Sequence, residues 1–88
     1  MTTYEVTCTF DGAGSPTPGN AIDRMLNTTS TMRDEGVEIY HRDTTINSNE
    51  DGSNRMMISR FTAPTEGIVG WHVFRARIPV CGINRVDD

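Results

Sequence analysis

The sequence predicts a single small α+β domain with the element order βαββαβ, a four-stranded antiparallel sheet with two helices on one face. Three observations predict it: an alternating apolar strand at the N-terminus, two segments whose apolar residues recur at helical spacing, and turn or helix-stop chemistry between the elements. With 88 residues the chain has room for one core, and a thin one, so association with a second copy is expected from size alone.

Tyr4, Val6, Cys8 and Phe10 alternate with Glu5, Thr7 and Thr9, the period of two of a half-buried strand. The Gly/Ser/Pro/Thr-rich run from Asp11 to Gly19 is a connection. Asn20 then offers a helix cap, and Ile22, Met25, Leu26, Thr29 and Met32 recur at three and four residues, with Gly36 placed to stop the helix. Val37 to Asn47 is the second strand, with Val37, Ile39 and His41 on one side and Tyr40 and Arg42 on the other. A polar turn over Asn47–Asn54 leads to a third strand, Arg55–Phe61, which is expected to be central.

Pro64 bars continuation of that strand, Thr65 can cap a helix, and Glu66 suits its positive end. The second helix is expected to run to about Arg77. Ile68, Val69, His72, Val73 and Ala76 form one stripe, and Trp71, Phe74 and Ile78 a second, so this helix is apolar on more than one face. Pro79 ends it, and Val80–Val86 is the fourth strand, with Ile83 and Val86 as apolar positions. Right-handed crossovers put both helices on the same side of the sheet, which is the ferredoxin-like arrangement. The other sheet face is then bare, an exposed apolar face expected to meet a second copy face to face.

The twelve Asp and Glu residues outnumber the eight basic residues, all of them Arg, for a net charge of −4. Such a field repels phosphate backbones and anionic membranes, so neither nucleic acid nor a membrane is expected as a partner. The first residues, Met1-Thr2-Thr3-Tyr4-Glu5, lack a basic and an apolar leader region, and no run approaches the ~18 apolar residues of a membrane span. The expected location is the cytoplasm. Cys8 and Cys81 are too few and too far apart for a disulfide framework and are expected to be reduced.

Gly36-Val37-x-x-x-His41, Ala63-Pro64-x-Glu66, and His72 followed by Pro79, Ile83 and Val86 together resemble a family of small ferredoxin-like proteins, long labelled as of unknown function, that includes nickel-binding members. The resemblance spans Gly36 to Val86 and fits without gaps from Ala63 onwards. It implies a homodimer, and it puts His41 and His72 where the family commonly carries histidine. Many members have Cys on the third strand where this chain has Ser59, which removes one of the stronger ligands.

Imidazole is a common ligand for nickel or zinc at neutral pH, but a stable site takes three or more protein ligands. To His41 and His72 the sequence can add Asp43, Cys8 or Cys81. The first and last strands are antiparallel neighbours in the expected topology, which brings Cys8 towards Cys81. Against the metal reading, free Cys mostly behaves as a small buried apolar residue, and a His in an apolar helix stripe is commonly a hydrogen-bonded core residue.

No G-x-S-x-G elbow, P-loop or dinucleotide fingerprint is present. The expectation is thus a small binding protein acting as a homodimer, with nickel or another divalent transition metal as its candidate cofactor. Two alternatives stand beside it. One is a dimeric α+β barrel-type enzyme, isomerase, monooxygenase or hydrolase, with a pocket lined by Tyr40, His41 or His72. The other is a ligand-free structural or regulatory dimer joined through the sheet face or through the Trp71/Phe74 helix.

Overall fold

The computed structural model describes residues 1–10, 18–47, 55–78 and 80–86. The elements are β1 (Thr2–Phe10), α1 (Pro18–Asp34), β2 (Tyr40–Asn47), β3 (Arg55–Ala63), α2 (Glu66–Ala76) and β4 (Val80–Val86). The strands form one antiparallel sheet in the order β2-β3-β1-β4, so the fold is ferredoxin-like α+β, with β3 and β1 central. The connection over 11–17, most of the hairpin turn and Pro79 lie outside the described residues.

Alternation in β1 does what its pattern requires. Tyr4, Val6, Cys8 and Phe10 are buried and meet Met57, Ser59, Phe61 and Ala63 of β3 beneath the helices. Ala21, Met25, Thr29 and Met32 close the core from α1, and Val69, His72, Val73 and Ala76 from α2.

Both helices stop by the same device. At the end of α1, Gly36 has φ +91, the Gly36 N–H donates to the Arg33 carbonyl at 3.0 Å, and Val37 N–H donates to Met32 O at 2.9 Å. Gly36 carries that left-handed geometry without steric cost. At the end of α2, Arg77 adopts φ 55 and Ile78 N–H donates to Val73 O at 3.4 Å. Here a residue with a Cβ takes the strained position, at a cost of about 1 kcal/mol, and Ile78 is buried just beyond it. At the start of α2, Thr65 Oγ1 accepts from Ile68 N–H, the cap its sequence position predicts.

Four expectations are corrected. Helix α1 starts at Pro18 and runs through Asn20, because proline's fixed φ suits a first helical turn. Leu26 is 46% exposed, since it sits about 100° round the helix from buried Met25. Strand β2 begins at Tyr40; Val37 is tied into the end of α1, although Ile39 is buried as its periodicity predicts. The sheet face away from the helices is mostly polar. By register it presents Thr3, Glu5, Thr7 and Thr9 beside Arg60 and Thr62, with Tyr40, Met56, Ile58 and Val86 among them, and Arg60 reaches Glu5 at 3.5 Å and Asp43 at 3.9 Å.

Candidate functional site

Phe61 of β3 is fully buried and carries a histidine on each side. The His72 ring lies 4.7 Å from it, centroid to centroid and tilted, and the His41 ring lies 5.3 Å from it, edge-on. The two candidate histidines thus meet one aromatic ring, one from α2 and the other from β2.

His72 belongs to the seam between the helices. Its Nε2 lies 2.7 Å from Thr29 Oγ1 and 3.2 Å from the Met25 carbonyl oxygen, while Thr29 Oγ1 donates to that same carbonyl at 2.8 Å. A carbonyl only accepts, so Nε2 carries the proton, and Thr29, whose own proton is committed, accepts from it. The Nδ1 nitrogen is then a bare lone pair, buried without a hydrogen-bond partner. Burial holds the His72 pKa down at about 4; the Met25 carbonyl opposes that shift, and the nearby His41 and Arg75 charges add to it. The imidazole is neutral at neutral pH.

His41 belongs to a chain of hydroxyls. Its Nε2 is 2.7 Å from Thr44 Oγ1, which is 2.9 Å from the Oγ of buried Ser59. Burial lowers the His41 pKa, against the charge and backbone of Asp43. A β-bulge creates this arrangement: His41 pairs with Phe61 and Thr44 with Ser59, so β2 carries one extra residue between them. The bulge reverses the alternation after His41, brings Thr44 onto its side of the sheet, and sends Asp43 to the other face, opposite Arg60.

Cys8 is fully buried on the helix-facing side of β1 and pairs with Met57 and Val80. The β4 backbone brings Cys81 next to that pairing, since Thr7 pairs with Gly82, but the Cys81 side chain lies outside the described residues. Among the described residues no group of three or more His, Cys, Asp or Glu side chains is placed to hold a metal ion. Ser59, where the resemblance expects a thiolate, spends its hydroxyl on Thr44 instead. Among the described residues the donor set therefore supplies two imidazoles and no third ligand beside them.

Of the three residues expected to line an enzyme pocket, Tyr40 and His41 are partly exposed. Tyr40 is covered by the Arg33 guanidinium at 4.6 Å, and His72 is fully buried. A depression of about 490 Å³ lies along α1, lined by Leu26, Thr29, Ser30, Arg33 and Asp34. On α2, Trp71 is 47% exposed and Phe74 80% exposed, and the Arg75 guanidinium lies 5.1 Å from the Trp71 ring while it pairs with Glu35 at 2.7 Å. That pairing holds the Glu35 carboxyl below its usual range.

Sequence reasoning found both histidines and the aromatic pair. It missed Thr29 and Thr44 as their partners, because a Thr in a helix stripe or an edge strand carries no signal of what lies across the fold. Among the described residues no helix is long and apolar enough to cross a membrane. Comparison with known proteins finds no family model, no curated protein and no solved structure that matches this chain.

Proposed function

We propose that the protein is a non-catalytic binding domain that works as a homodimer and that two copies meet through the helical layer. One observation carries this reading: α2 presents Trp71 and Phe74 to solvent on neighbouring turns, while the outer face of the sheet is lined mainly by threonines and charges. Large exposed aromatics on one helix are the residue types that anchor interfaces, and the polar sheet face leaves the helices as the better candidate surface. Sedimentation equilibrium tests it. Wild type is expected to be a dimer at micromolar concentration, and Trp71→Ala/Phe74→Ala a monomer with unchanged far-UV circular dichroism. A wild type that stays monomeric across the concentration range removes the proposal.

A second reading, binding of nickel or a similar divalent ion through His41 and His72, is favoured by the two imidazoles gathered on Phe61 and by the bare Nδ1 of His72. It requires a third ligand from beyond the described part of one chain. Calorimetric titration of the metal-stripped protein with nickel and zinc, repeated on His41→Ala, decides it. Saturable heat that disappears in the variant supports the site, and no heat in the wild type rejects it.

A further inference from the structure

Helix α2 buries Val69, His72, Val73 and Ala76, and the line of residues directly opposite them reads Gly67, Trp71 and Phe74, at i, i+4 and i+7. All three are exposed, Trp71 by 47% and Phe74 by 80%. We infer that this line is self-complementary: α2 of one copy packs antiparallel on α2 of a second about a two-fold axis, with Phe74 of each over Gly67 of the other. The inference rests on the homodimer reading and adds to it which surfaces touch and in which direction the helices run.

Gly67 is the residue that a single chain does not account for. A glycine within a helix is destabilising, and a positive φ or a close neighbour is what makes one necessary. Gly67 is helical, and a Cβ built on it would meet no described atom nearer than Thr65 Oγ1 at 3.9 Å, an ordinary contact. The missing side chain leaves a notch seven residues before the most exposed ring. Seven residues are about two helical turns, so notch and ring lie on one line. A two-fold axis at the Gly70–Trp71 peptide brings position 67 opposite position 74 at both ends, sets the two Trp71 rings side by side, and closes the assembly at two copies. The charges fit the same direction. Glu66 begins the helix and Arg77 caps its end; both are exposed, and neither has an ion-pair partner among the described residues. Antiparallel copies bring Glu66 of each towards Arg77 of the other while Arg75 keeps Glu35, whereas parallel copies would set like charges together at both ends.

The test fills the notch and leaves Phe74 alone. Gly67→Glu puts a carboxylate where the ring would sit, in a first helical turn that favours negative charge, so the single chain is expected to keep its far-UV circular dichroism and its urea midpoint. The dimer dissociation constant from sedimentation is expected to rise at least tenfold, with Ile46→Arg, on the edge strand, unchanged as a control. In a second measurement, Gly67→Cys and Phe74→Cys chains are mixed in equal amounts and oxidised, and the disulfides are mapped by mass spectrometry. A 67–74 link between chains is expected to exceed both 67–67 and 74–74 links. A wild-type dimer that tolerates Gly67→Glu, or a mixture that yields mainly 67–67 or 74–74 links, overturns the antiparallel seating and leaves the dimer reading standing. A monomeric wild type removes both.

Discussion

The two sides of Phe61 use the same side chain in opposite ways. On the α2 side, His72 is fully buried, neutral, and fastened through Nε2 to a helix carbonyl and a threonine, leaving Nδ1 without a partner. On the β2 side, His41 is half-buried and ends a chain of hydroxyls that a β-bulge has assembled. His72 holds two helices together, whereas His41 adjusts an edge strand. The difference teaches that ring chemistry does not assign a histidine its task; the geometry around each nitrogen does.

Removal is the most forceful way to break that comparison. His72→Ala leaves a cavity at the core and a Thr29 hydroxyl without its donor, while the Met25 carbonyl keeps the Thr29 hydroxyl, and is expected to cost about 2–4 kcal/mol. His41→Ala frees Thr44 to turn to Ser59 or water and is expected to cost less than about 1.5 kcal/mol. Urea denaturation of the two variants beside the wild type measures the gap. Equal losses would mean that both histidines are structural in the same degree.

Acid should separate them next. The His72 pKa is about 4 in the folded chain against 6.5 unfolded, so between those values the unfolded state binds more protons. Stability therefore falls as pH drops from about 6.5 to 4, and this group adds no further loss below that. Of the influences on His72, burial disfavours the charged form most, the positive charges of His41 and Arg75 add to it, and the Met25 carbonyl opposes them without offsetting them. The loss amounts to on the order of 3 kcal/mol. His41 is shifted the same way, and Glu35, held low by Arg75, acts in a lower window. Denaturation midpoints of His72→Gln followed from pH 7 to 4 should be much flatter than those of the wild type, and those of His41→Gln nearly as steep. A His72→Gln profile as steep as the wild type's would show that carboxylates, not this imidazole, set the acid response.

How much of this was legible in the chain depends on whether the signal was local. The β1 alternation, the Gly36 stop, the Thr65 cap and the inward stripe of α2 all lie within a few residues of their cause, and each stands in the structure where the sequence puts it. The bulge between His41 and Asp43 is set by pairing with β3, so no reading of β2 by itself could show that Asp43 leaves the face of His41. Thr29 meets a residue 43 positions away, and Ser59 meets one 15 away. Those contacts exist only once the sheet and the helices are assembled, which is why the candidate histidines were visible and their partners were not. The exposed Phe74 was legible as an aromatic out of register with the inward stripe, but the depression on α1 was not.

The smallest expected stability change asks the sharpest question about the two histidines, because it tests whether the two sides of Phe61 can act as one centre. Ser59→Cys keeps the size of a buried side chain and exchanges a hydroxyl that bonds Thr44 at 2.9 Å for a thiol, at an expected cost below about 1 kcal/mol. It also supplies the soft ligand that the wild type lacks beside His41. Titration with cobalt(II) is expected to produce thiolate-to-metal absorption in the near ultraviolet in Ser59→Cys and none in the wild type, and the band should weaken when His41→Ala is added. Should the band appear and survive His41→Ala, the thiol binds without the histidine. Should no band appear, the hydroxyl chain of His41 is a packing device of the edge strand, and the two rings share Phe61 without sharing a task.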